Sequence, residues 1–147
     1  MAYNPNNPNG QATAANSAPV VLASNVTSSI SIAEAATGGA TVKRIISAAT
    51  NNPTTIKDGP GKVTGWYIYN ASGTVRVVRF FNATSPPGVY TSPYLTIAIP
   101  ALSAANCPFP AGINFDTGIC IATTTTVDDA TTTAVGANEL IINIFYK

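Results

Sequence analysis

Residues 62–81 read KVTGWYIYNASGTVRVVRFF, and their reading decides the fold. Residues 62–69 are dense in β-branched and aromatic side chains, which suit a pleated, half-buried surface. Asn70-Ala71-Ser72-Gly73 follows with turn chemistry. It predicts a tight hairpin into a second strand over 74–81. In that strand Val75, Val77, Arg79 and Phe81 share one face, and Arg76, Val78 and Phe80 share the other. Both faces mix apolar and charged residues. One of them is therefore expected to meet a neighbour rather than water.

Outward from this stretch the same signals repeat. Residues 41–47 (TVKRIIS), 94–99 (YLTIAI), 118–122 (GICIA) and 139–146 (ELIINIFY) read as strands. Turn and breaker signals separate them at Asn51-Asn52-Pro53, at Lys57-Asp58-Gly59-Pro60-Gly61, at Pro86-Pro87-Gly88 and at Pro100. Pro108, Pro110 and Gly112 predict an irregular crossing, and the Thr/Ala-rich residues 123–138 a long loop. No segment has the periodicity of an amphipathic helix. Six or seven strands in about a hundred residues predict an all-β domain over 41–147, an antiparallel β-sandwich or jelly roll.

Residues 1–40 differ. They are rich in Asn, Pro, Ala and Ser and carry one charged residue, Glu34. Pro5, Pro8 and Gly10 break any regular element, and Gly38-Gly39 supplies a joint before the domain. An extended N-terminal arm is the expectation. Its two short β-prone pieces contain Pro19, Val20, Val21, Leu22, Ile30 and Ile32, the candidate anchors on a partner.

Charge narrows the function classes. Seven Lys+Arg face six Asp+Glu in 147 residues, for a formal net charge of +1 and no histidine. Charged residues make up 9%, against roughly 25% in an average domain. This excludes the basic footprint of a general nucleic-acid binder and a polybasic membrane-surface protein. The hydrophobic fraction of 46% is enough for a packed core. So few charges on an ordinary apolar content imply a surface covered by copies of itself or by a partner. The polar start does not read as a signal peptide, and no run approaches the ~20 apolar residues of a spanning helix.

The search for chemistry returns little. Without histidine the common Ser and Cys triads are absent. Lys43, Lys57 and Lys62, the bases for a Ser–Lys pair, sit at turns or strand starts, where solvated lysines are normal. Asp128-Asp129 is the one acidic cluster. Adjacent carboxylates in a loop do not flank a scissile bond, and their spacing matches no known calcium loop. There is no phosphate loop and no dinucleotide fingerprint. No catalytic residue, cofactor or metal site is expected. Cys107 and Cys120 read as buried thiols, with a disulfide as the alternative. Trp66, Tyr67, Tyr69, Tyr90 and Tyr94 fit a core better than a sugar-binding platform. Arg76 and Arg79, in the middle of an apolar strand where charge is otherwise scarce, are expected at a subunit interface.

Two sets of residues carry a resemblance. Residues 10–24, GQATAANSAPVVLAS, resemble a segment that recurs in virion proteins of tailed bacteriophages, with Asn25-Val26 where Asp-Gln usually follows. Residues 65–70 (GWYIYN), 95–100 (LTIAIP), 109–115 (FPAGINF), 117–119 (TGI) and 143–147 (NIFYK) look like small β-sandwich structural proteins of phages. The resemblance implies a non-enzymatic virion component, made in the host cytoplasm. Its leading form is a capsid decoration, or cement, protein on the outer shell. That protein would be a homotrimer gripping the major capsid protein through its arm, with no nucleic acid or membrane partner. The rival is a receptor- or glycan-binding module of a tail fibre or baseplate, using the aromatic strands or the 123–138 loop.

Overall fold

The computed structural model describes residues 39–88 and 92–147. It contains eight strands: β1 (Thr41–Ile46), β2 (Thr54–Lys57), β3 (Gly61–Asn70), β4 (Arg76–Asn82), β5 (Leu95–Ile99), β6 (Ser103–Phe115), β7 (Ile119–Thr124) and β8 (Leu140–Tyr146). They form two four-stranded antiparallel sheets, β1-β8-β3-β6 and β2-β7-β4-β5. The outer pairs β1·β8, β2·β7, β3·β6 and β4·β5 are those of one long hairpin folded over on itself. That wiring is a jelly roll, one of the expected architectures.

Alternation drives the packing. In β3, Trp66 and Ile68 point inward, and in β8 so do Leu140, Ile142 and Ile144. From the second sheet Val78, Phe80, Ile119 and Ile121 meet them. Phe80 sits at the centre, its ring 5.9 Å from Trp66 and 6.2 Å from Phe115. Asn70 closes one end of the core. Its side-chain amide donates to the carbonyls of Thr74, Ile99 and Pro100, and its Oδ1 accepts the Ser72 N–H. A buried amide satisfied on every side fixes how the chain turns there.

Two expectations are corrected. Residues 70–75 do not form a hairpin: β3 and β4 lie in different sheets, and the segment crosses between them. A turn signal reverses the chain, but strand partners are chosen by which faces need burial. The proline-rich region around 108–112 is not an irregular crossing but part of β6, thirteen residues long. Pro108 and Pro110 are tolerated because β6 is an edge strand, and both point to solvent. The short β2, four residues between two turn signals, is too brief to show alternation in the sequence.

Cys107 and Cys120 are both free, so the disulfide alternative does not form. Cys107 lies on β6 and Cys120 on β7, in separate sheets. The Cys120 thiol donates to the Ala83 carbonyl at 3.0 Å. Burial pushes its pKa up, which makes it a small hydrophobe rather than a nucleophile. Truncating the core centre is the sharpest test of the packing. Phe80→Ala is expected to cost about 3–5 kcal/mol in denaturant unfolding.

Candidate functional site

The two sheets treat their outer faces differently. On β4 the inward positions are Val78 and Phe80, so Val77, Arg79 and Phe81 point outward, yet all three are buried. The chain covers them itself. Phe81 packs with Cys120 and Ala122 of β7. Arg79 is 0% exposed beneath the β7–β8 connection. Its guanidinium donates to the carbonyls of Thr126 and Asp129, each at 3.3 Å, and to that of Asp128. The Asp129 carboxylate lies 3.9 Å away.

Arg76 holds the other end of this connection. Its Nε and Nη2 donate to Glu139 Oε2 and Oε1 at 2.6 and 2.8 Å, a bidentate pair. Glu139 also accepts the Gly136 N–H at 2.6 Å. The Arg76 hydrogen bonds, with help from that N–H, hold the Glu139 carboxyl at about 2, below its ordinary 4.5. Both arginines expected at a subunit interface thus have their partners inside this chain. The scarce charge of β4 fastens a loop.

Among the described residues the outer face of the other sheet is bare, and the registers define it. Val42, Phe145, Gly65 and Pro108 lie opposite one another across β1, β8, β3 and β6 and form one row. The next row on that face is Arg44, Asn143, Tyr67 and Asn106. The third is Ile46, Ile141, Tyr69 and Ala104. Two apolar rows therefore flank a polar one that carries a single charge, Arg44. Val42 is 53%, Ile46 45% and Tyr67 42% exposed.

The first row has a gap. The register of β3 shifts between Val63 and Gly65 against both neighbours, a β-bulge that turns Gly65 outward. With no side chain there, a groove of about 500 Å³ opens between Phe145 and Pro108, bordered by Tyr67, Asn106 and Ala40. Gly65 is required by close approach: an added Cβ would stand 2.8 Å from the Cys107 carbonyl oxygen.

The aromatics divide. Trp66 is 8% exposed, packed between Phe80 and Phe109 (5.0 Å), so it belongs to the core. Tyr94 is exposed and stacks edge-on with Phe115 at 5.0 Å. Tyr67 and Tyr69 belong to the bare face, and Tyr90 lies outside the described residues. So do the arm anchors Pro19, Val20, Val21, Leu22, Ile30 and Ile32. Among the described residues no three His, Cys, Asp or Glu side chains gather to hold a metal ion. The bare face is not legible in the sequence because it depends on register. The alternation of β1 and β8 was visible, but which residues line up across four strands was not. Comparison with protein families, with curated proteins and with solved structures finds no match to the chain.

Two outcomes follow for the loop fastening. Because the Glu139 carboxyl ionises more readily in the fold than in the unfolded chain, the pair contributes fully above about pH 4.5. That contribution drains away as the pH falls towards 2. Thermal melts should record the decline, and Glu139→Gln should lose this part of the pH dependence. Removing the buried cation acts at any pH. Arg79→Ala is expected to cost about 1.5–3 kcal/mol and to make residues 125–133 a preferred site of limited proteolysis.

Proposed function

We propose that this chain is a non-enzymatic structural component of a tailed-bacteriophage virion, a decoration protein of the outer capsid surface. The observation that carries the reading is the bare face of the β1-β8-β3-β6 sheet. Exposed contiguous apolar surface marks an interaction site, and here it belongs to a chain with too few charges to favour a free monomer. The chain enters the jelly roll at Ala40, beside that face. The resemblance of residues 10–24 and of the strand segments to phage virion proteins points the same way.

In this reading the jelly roll is the body on the shell and residues 1–40 are the arm that grips the major capsid protein. An arm with short β-prone pieces adds strands to a partner's sheet edge, so main-chain hydrogen bonds supply affinity with little demand on side chains. Ordering it costs roughly 1–2 kcal/mol per residue fixed, which a large preformed lattice can offset. Several linked copies, three in the form the resemblance implies, add avidity. The glycan-binding rival leans on an aromatic platform. With Trp66 in the core, Tyr67 is left as the most exposed ring of that strand.

The test is co-sedimentation with phage shells lacking the protein. The full chain should saturate them. Leu22→Asp with Ile30→Asp in the full chain, and separately a chain lacking residues 1–40, should keep the melting temperature and lose shell binding. Full occupancy by either variant overturns the arm's role. A full chain that ignores the shells overturns the virion-surface reading.

A further inference from the structure

The bare face is complementary to itself. We infer that it is an interface between two copies of this chain, stacked face to face about a two-fold axis parallel to the strands. Such an axis, lying between β8 and β3, sets β1 over the partner's β6 and β8 over its β3, row against like row. Phe145 then stands over the partner's Gly65, the one position of the face without a side chain. Val42 falls on Pro108 and Ile46 on the small Ala104. In the polar row Arg44 meets Asn106 and Tyr67 meets Asn143. Phe145 and Ile46 oppose smaller residues, Ile141 opposes Tyr69, and polar residues oppose polar ones, twice over by symmetry.

The other two-fold that stacks these faces runs across the strands. It would set β1 on β1 and bring Arg44 against its own copy, with no acid on the face to offset it. Within these three rows Arg44 therefore favours the axis along the strands, and Lys147 and Lys62, paired one row beyond, come to the rim of the contact. Packed sheets align at about 30° rather than in parallel. Arg44 and Asn106 lie roughly 7 Å from the centre of the grid by strand spacing. That rotation displaces them by under about 4 Å, within reach of an arginine side chain.

The same spacing gives a footprint of roughly 19 by 20 Å, or about 400 Å² per copy. A standard stable interface buries roughly 800 Å² per partner. The pair is accordingly weak and concentration-dependent, dissociating in the micromolar range in free solution. It is a two-fold contact, distinct from the three copies that the phage resemblance implies, and it needs no shell. Its failure and the failure of the virion reading are therefore separate results.

The test is sedimentation velocity of the full chain from about 1 to 100 μM in reducing buffer. The wild type should move from one copy to two. Asn106 is exposed and sits three strands from Arg44 of its own chain, so changing it tests the contact without disturbing the fold. Asn106→Asp should tighten the pair several-fold by facing the partner's Arg44, and Asn106→Lys should weaken it about tenfold. Val42→Glu should abolish it. A monomer throughout the range, a trimer, or a dimer indifferent to all three substitutions overturns the inference. Weakening by Asn106→Asp overturns the chosen axis, since only the rejected two-fold brings Asn106 against its own copy.

Discussion

The asymmetry of this molecule depends on one buried cation. Arg79 points away from the core, on the side of a sheet where solvent would normally be. Burying a guanidinium costs several kcal/mol unless it is hydrogen-bonded, and its two terminal nitrogens donate to the carbonyls of residues 126, 128 and 129. The loop thus becomes a third layer over β4 and β7. Arg76 and Glu139 fix its far end. Once that layer is in place β4 and β7 are buried on both faces, and among the described residues the broad uncovered apolar surface is the outer face of the other sheet.

Charge economy and surface chemistry are two sides of this arrangement. Of the few charged residues, Arg76, Arg79, Asp129 and Glu139 are engaged in holding the loop. They are not available to keep the surface well solvated. Arg44 stands alone among the twelve positions of the bare face. A sheet face of this kind, left in water on a soluble domain, promotes association. The low charge evident from composition therefore has a location: it leaves one broad face of the jelly roll apolar and, among the described residues, exposed.

Most strands were legible because their signals are local. β1, β3, β4, β5, β7 and β8 appear in the sequence as short runs of β-branched and aromatic residues bounded by turns. The β-sandwich class followed from their number. Two strands were hidden by residues that argue against strands. β6 carries Pro108 and Pro110, acceptable only because it lies at an edge, and edges are a property of the assembled sheet. β2 is too short to show alternation. Pairing was less legible still. Asn70-Ala71-Ser72-Gly73 has the chemistry of a hairpin turn, yet Asn70 uses its amide to join the ends of two sheets. The alternation of β4 separated Val78 and Phe80 from Arg79 correctly, but the neighbour on the second face proved to be the chain's own loop. The bare face rests on a one-residue bulge at Gly65, and no pattern within β3 alone announces a register shift against two partners.

The place of β8 has a consequence for how the protein is made. Residues 140–146 do not sit at an edge; they lie between β1 and β3 and are the sole link joining β1 to its sheet. A growing chain that has reached residue 139 still exposes Trp66, Ile68 and Phe80 without the strand that completes their layer. Among neighbouring strands in sequence only β4 and β5 pair directly, so little native structure can form early from local contacts. The jelly roll must close after synthesis has passed its last strand. Until then the nascent chain is a client for chaperones, and a ribosome that stalls just short of residue 140 releases an aggregation-prone fragment rather than a smaller stable domain.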